Sequence, residues 1–427
     1  MAEPTSETDA KTIRRNEAVL FSQGVSGGVA NELTSVGLVL PFLYTTIGAP
    51  IFFAGLLVPL NTLAKRISQI FAARLVGTAR ANAPIIALAT LTMAASIVLI
   101  GLTFSAISPW WAVPIFLTVA AVLGAAAGVN GLAFQDLIGR ALPKERRSRL
   151  LFIQSSIAGI IVVLVAYGAQ QVLQPSTSLA AHQELIWLGV GLYVLAAVVV
   201  LAVREPPKTS MAVDTGSGGM VSELAGNFRI AFALPWFGKF LVARALYLSI
   251  ELAIPFFSIH TATFHGDSIS GLNTLVIAAN IGIFLGGFLW ARIGRHSVER
   301  IMVLASFLAC GAGLMALGIE FGAVPPTLFC YALVFVAIAL GAQGVKNGRT
   351  LYLLGRAKEH ERPYCIAVAN VTTGVVAVAL GALLGALAGL KGVAWPIGAL
   401  IVLNIAAAVY TLRLPKETDT ETSGRAI

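Results

Sequence analysis

Seven charged side chains lie deep in the long apolar runs of this chain, away from their ends, and they offer the most chemistry. Glu32 and Glu251 are carboxylates; Lys65, Arg66, Arg244, Lys346 and Arg349 are cations. A charge near the centre of a bilayer costs at least roughly 2.5–3.5 kcal/mol on insertion scales, so each needs a partner or a wet cavity. A carboxyl group withdrawn from water can exchange its proton near neutral pH, which makes Glu32, then Glu251, the proton-coupling candidates. Glu251 follows Arg244 by seven residues, so on one continuous helix both share a face. Glu251 then serves as a proton site, as an internal partner for Arg244 or as a polar residue near the outer mouth.

The cations outnumber these acids, and a cation-rich cavity favours an anionic or carboxylate-bearing ligand. Arg244, Lys65, Arg66, Lys346 and Arg349 are therefore substrate candidates, with Asn130 and Asn280 as neutral polar companions. Snorkelling to the membrane rim accounts for Lys346, Arg349 and Arg66 without any ligand. Lys65 and Arg66 are adjacent, about 100° apart on a helix, so only one can face a narrow pore.

The elements that must hold these groups are apolar stretches of spanning length. Twelve are predicted, at 18–40, 49–73, 83–106, 111–136, 151–174, 184–203, 233–259, 270–291, 300–320, 325–350, 364–389 and 393–413. Glu32 precedes Pro41 by nine residues and Arg244 precedes Pro255 by eleven, in matching Leu-Pro-Phe and Ile-Pro-Phe settings. At 1.5 Å per residue both charges lie about 13–16 Å in from those prolines, near the midplane. The longest polar interval, 204–232, holds Pro206, Pro207 and the run Gly216-Ser217-Gly218-Gly219, and reads as a flexible connector. The expected order is a tail at 1–17, a six-helix bundle at 18–203, that loop, a second bundle at 233–413 and a tail at 414–427.

The bundles repeat one another. Gly139-Arg140-Ala141 opens a basic loop that runs to Arg147, and Gly355-Arg356-Ala357 opens another 216 positions on. Ala73-Arg74 and Ala291-Arg292 end apolar runs 218 positions apart. A duplicated membrane bundle with the same order of spans is the mark of transporters. The spacings Gly24/Gly28, Gly124/Gly128, Gly282/Gly286 and Gly381/Gly385/Gly389 read as close helix contacts.

Composition excludes the main rivals. The chain is 57% hydrophobic and 11% charged, with mean hydropathy +0.85, which no soluble 427-residue protein could bury. Its net charge of +9 is a topology signal: of 29 Lys and Arg, 23 fall on the side taken as cytoplasmic, one (Lys391) outside, and five within spans. Nucleic acid is set aside as a partner. Both termini are expected in the cytoplasm, and the membrane is expected to be a bacterial inner membrane or one derived from it. Three cysteines in apolar runs make no disulfide framework. There is no phosphate-binding Gly-x-x-x-x-Gly-Lys loop, so no ATPase partner is implied, and no constellation of an enzyme or a cofactor site is present. His260, His265 and Asp267, expected in the outer loop after helix 7, are of types that bind a transition metal, though solvated loop histidines are commoner.

The chain resembles the major facilitator superfamily over its whole length, through its spans, its central loop and the stretch Gly287-Phe288-Leu289-Trp290-Ala291-Arg292-Ile293-Gly294-Arg295. Ala291, and Ala73 in the first half, stand where that loop motif carries an acid; the fifth helix, at Ala158-Gly159-Ile160-Ile161, lacks the proline of the drug/proton antiporter branch. The resemblance implies an all-α protein of twelve transmembrane helices in two pseudo-symmetric bundles, moving a small-molecule or ion substrate by alternating access. It implies a cytoplasmic gate built from Arg74, Asp136, Arg140, Arg292, Arg295 and Arg356, with Asp136 pairing with Arg140 or Arg74. It also places helix 1 opposite helix 7, so that Glu32 and Arg244 make a moving ion pair; a static pair within one half, or a protonated carboxyl, is the alternative. A metal or metal-chelate permease and a non-transporting assembly or sensor protein are the other functions such a chain could have.

Overall fold

A computed structural model describes residues 7–103, 108–173, 179–206, 226, 228–265, 269–293, 298–357 and 361–415. In lipid every backbone polar group must be satisfied within the protein, and helices do this locally. Fourteen are described. They are α1 (Glu7–Leu33), α2 (Val39–Thr46), α3 (Ile51–Thr78), α4 (Ala83–Thr103), α5 (Pro109–Ala141), α6 (Lys144–Leu173) and α7 (Leu179–Val200), followed by α8 (Phe237–Leu246), α9 (Leu248–His265), α10 (Ile269–Ile293), α11 (Val298–Glu320), α12 (Leu328–Arg356), α13 (Arg362–Lys391) and α14 (Ala394–Thr411). Among the described residues ten segments are long and apolar enough to cross a membrane, α8 and α9 counting together as one. This is an integral multi-pass membrane protein. Helices α1 and α6 are not among those ten. Large apolar side chains lie bare along the helices, Leu88, Leu164, Phe307 and Leu383 among them. Trp110, Trp111, Phe321, Phe329 and Trp395 stand exposed near helix ends, where amphipathic or bulky rings meet a membrane interface.

Two predicted spans are broken. The stretch 18–40 was expected as one helix with a tail before it; instead α1 starts at Glu7, stops at Leu33, and α2 begins at Val39. Pro41 explains the interruption. A proline ring collides with the carbonyl four residues back, here Gly37, but is tolerated in a first turn, which is where α2 places it. The stretch 233–259 is likewise two helices, α8 and α9, joined at Tyr247. No proline adjoins that joint. Tyr247 is fully buried with its hydroxyl 2.8 Å from Thr411, and Ser249 donates to Asn404 over 2.5 Å, so α14 holds the junction.

The chain divides into two compact units: Met1–Val213 with His265–Ile277, and Asp214–Phe264 with Ala278–Ile427. In the first, α3 packs along α5, α4 against α5 and α7, and α1 against α6 and α7. In the second, α11 packs on α12 and α14, and α8 meets α13 and α14. Glycine makes some of these approaches possible. A Cβ on Gly124 would overlap the Asn61 carbonyl across α3–α5, and one on Gly128 would overlap the Lys65 carbonyl and the Ser68 hydroxyl. In the second unit Gly282 lies so close to the Val336 carbonyl that a Cβ would sit 2.6 Å from it. Each unit also has an apolar core. Leu20, Ile86, Leu137 and Val200 centre the first; Phe237, Phe240, Tyr352 and Val368 centre the second, where the Phe240 and Tyr352 rings stack 5.6 Å apart.

Candidate functional site

Within the second unit the intramembrane charges are held by named partners. Arg349 on α12 donates to the Glu251 carboxylate on α9, and the arginine side chain is only 13% exposed against 35% for the acid. Arg244, on the last turn of α8, donates to the Asn370 amide oxygen of α13 over 2.7 Å. Arg244 and Glu251 stand on either side of Tyr247, the residue between α8 and α9, and Glu251 takes Arg349 as a partner. Pro255 follows Glu251 by four residues inside α9 and has no N–H to offer the Glu251 carbonyl. Of the other candidates in this unit, Asn280 is buried in α10 and Lys346 is exposed on α12.

In the first unit Glu32 is half-buried in the last turn of α1, beside the break. Just past it the Thr34 hydroxyl donates to the Ala30 carbonyl over 2.8 Å and lies 3.3 Å from the buried Tyr193 hydroxyl of α7. Lys65 and Arg66 are both half-buried on α3. Asn130 donates to the Thr90 hydroxyl over 2.9 Å, tying α5 to α4. Glu32 belongs to the first unit and Arg244 to the second.

The first copy of the repeated loop carries a polar cluster. Arg140 Nε donates to Asp136 over 2.9 Å, and its two terminal nitrogens reach Glu205 over 3.0 Å and the Pro206 carbonyl over 3.1 Å. Asn82, fully buried, donates its side-chain amide to Asp136 over 2.5 Å. Glu205 also accepts from the backbone N–H groups of Asn82 (2.9 Å) and Ala83 (2.5 Å), the orphan donors at the start of α4. One carboxylate thus joins the end of α7 to the start of α4 and the end of α5. Sequence reading missed Glu205 because it lies in the interval taken as a flexible connector; an acid directly before Pro206-Pro207, one helix end from an arginine loop, was the only signal. Arg147 folds the loop back, donating to the Leu142 carbonyl over 2.8 Å.

In the second copy Arg356 lies over the Tyr352 ring, 5.7 Å from its centre. Arg292 is exposed on the last turn of α10. Arg295 and Asp267 lie outside the described residues, as does the side chain of Arg74.

His260 corrects an expectation. It is no loop residue: it lies inside α9 and is 1% exposed, with Nε2 3.0 Å from Glu320 and Nδ1 2.9 Å from the Tyr331 hydroxyl. Both ring nitrogens are committed, so neither is left for a metal. His265 ends the same helix, half-buried, and no group of three metal-ligating side chains occurs among the described residues.

No family model matches the chain. An uncharacterised protein of Mycobacterium tuberculosis (strain H37Rv) is 28% identical over 312 residues, 72% of this chain, and a Mycobacterium bovis protein matches equally. The chain spans about 60% of the length of these curated relatives. Solved structures match far more completely. A mutant of the nucleoside transporter NupG superposes with a TM-score of 0.73 over 93% of this chain and 100% of its own, at 10% identity. A D-xylose–proton symporter gives 0.69 over 95% and 99%, at 13% identity. A POT family transporter in complex with 5-aminolevulinic acid gives 0.65 over 94% and 98%, at 13% identity.

The chain has the major facilitator fold. At these identities the likeness is one of backbone alone, so the side chains must be argued from this chain. Within that fold the repeated loops at 139–147 and 355–362 fall at matching helix ends: α5 stops at Ala141 and α12 at Arg356. The major facilitator fold also accommodates the two joints, since irregular backbone at membrane depth is tolerated where protein or water satisfies it.

Proposed function

We propose that this chain is a secondary transporter that moves a small solute by alternating access. Its twelve spans are made from the fourteen helices, α1 with α2 and α8 with α9 each forming one broken span. The carrying observation is the backbone likeness over more than nine-tenths of the chain to a nucleoside transporter, a D-xylose–proton symporter and a POT family transporter. The ionised side chains kept inside apolar helices support the same reading, because a purely structural bundle has no need to bear their insertion cost. The lopsided distribution of Lys and Arg supports an inner-membrane protein with both ends in the cytoplasm. The polar cluster of Asp136, Arg140 and Glu205 serves as part of the cytoplasmic gate.

The substrate carries a negative group, which Arg244 receives by charge-assisted hydrogen bonding while Asn370 orients the guanidinium. A ligand-induced thermal-shift screen over anions, metal chelates and lipophilic cations identifies the solute. With a hit in hand, Arg244→Ala weakens binding at least about tenfold, the loss of roughly 1.4 kcal/mol, while Arg80→Ala leaves it unchanged. Equal losses in both variants, or stabilisation by lipophilic cations alone, refute the anion reading.

Transport is coupled to protons through Glu32 or Glu251. The Arg349 contact gives Glu251 a way to act: protonating the carboxyl ends its ion pair and frees the guanidinium. In proteoliposomes, the Gln variant of the coupling residue loses gradient-driven accumulation and keeps counterflow exchange. Full accumulation in both Glu32→Gln and Glu251→Gln excludes this coupling.

A further inference from the structure

We infer that His260, Glu320 and Tyr331 form a proton-binding site where α9, α11 and α12 meet in the second unit. The site stands on geometry. His260 and Tyr331 are each 1% exposed, and Glu320 ends α11 with its side chain 36% exposed, so the acid is the route to water. Phe264 closes over the site, its ring 5.3 Å from the imidazole and 6.4 Å from Tyr331. Among the described residues the titratable neighbours are Glu320 on α11, Tyr331 and Cys330 on α12, and His265 five residues further along α9. Cys330 is engaged with Thr327, which donates to its sulfur over 3.2 Å.

A neutral imidazole satisfies every contact. Nε2–H donates to the Glu320 carboxylate, and Nδ1 accepts from the Tyr331 hydroxyl. Protonation of the imidazole puts the added hydrogen on Nδ1, the ring nitrogen that carries none; because Nε2–H already faces Glu320, the ring must turn briefly for that proton to enter. The Glu320 contact then becomes a full ion pair, and Nδ1–H must donate to the Tyr331 oxygen, whose own hydrogen has to turn elsewhere. Uptake of one proton therefore tightens α9 to α11 and unsettles α9 against α12. Nothing in this depends on what the chain carries, and the groups differ from Glu32 and Glu251, so the inference goes beyond the transport reading.

The test is hydrogen–deuterium exchange on the full chain in nanodiscs at pH 8.0 and 5.5, corrected for the intrinsic exchange rate. In the native protein, protection of the first turn of α12 falls on acidification, by about tenfold if the two protonation states differ by one pKa unit of interaction. His260→Gln keeps a donor toward Glu320 and abolishes the step. Tyr331→Phe, which keeps the ring, also abolishes it and serves if His260→Gln does not fold. Glu320→Gln shrinks the step, because the imidazolium has lost its counter-charge. Unchanged protection in the native protein overturns the proposal, as does a full step surviving in either His260→Gln or Tyr331→Phe.

Discussion

Gly124→Val is expected to lower the melting temperature of the detergent-solubilised protein by roughly 6–12 °C. The added carbons meet the Asn61 carbonyl, part of a helix backbone that cannot rotate aside. Overpacking of a well-packed contact costs typically about 1–3 kcal/mol, and a clash with main chain belongs at the upper end. About 3 kcal/mol spread over a unit of this size gives the stated shift, at roughly 2–4 °C per kcal/mol. Gly131→Ala is the control on the same helix, because a Cβ there meets nothing within 4 Å. It should be neutral or raise stability by up to about 1 kcal/mol, the helix-propensity gain of alanine over glycine. If the two variants melt alike, the α3–α5 approach is looser than described.

Arg349→Ala is expected to destabilise the second unit by about 3 kcal/mol. Removing one member of a buried ion pair leaves an uncompensated charge, which typically costs roughly 3–5 kcal/mol. The Glu251 side chain keeps 35% exposure, so screening holds the effect to the low end. Adding Glu251→Gln should restore much of the loss, since a neutral amide no longer needs a counter-charge. The two changes then fail to add, with a coupling energy in the range of about 0.5–3 kcal/mol found for residues in contact. Strict additivity, read from melting curves of the four proteins, would mean the two side chains do not stabilise one another.

Much of the fold was legible because lipid imposes length and apolarity on every crossing. The runs that became α4, α5, α11 and α14 were read within a few residues, and the Gly-Arg-Ala triplets fell at helix ends. The glycine pair Gly124/Gly128 announced its close contact by spacing alone. The joints were less legible. Pro41 carried the information for the first, since its clash with the carbonyl of Gly37 is fixed by covalent geometry, but an apolar run hides such a stop. Tyr247 offered nothing local, because its place is set by hydroxyl contacts to α14, more than 150 residues away in sequence. Glu205 and His260 failed for the same reason. One looked like linker and the other like loop until partners from distant helices, Asn82 and Arg140 for the first, Glu320 and Tyr331 for the second, gave each a defined place.

The interruptions beside Glu32 and Arg244 also change what movement costs. A continuous rod in a bilayer can open at one end only by bending along its length or by tilting whole. A rod jointed at residues 34–38 or at Tyr247 has a few backbone torsions that can turn while the hydrogen-bonded pieces on either side stay intact. The eight residues of α2 and the ten of α8 are then short levers, and the charge carried beside each joint feels the swing first.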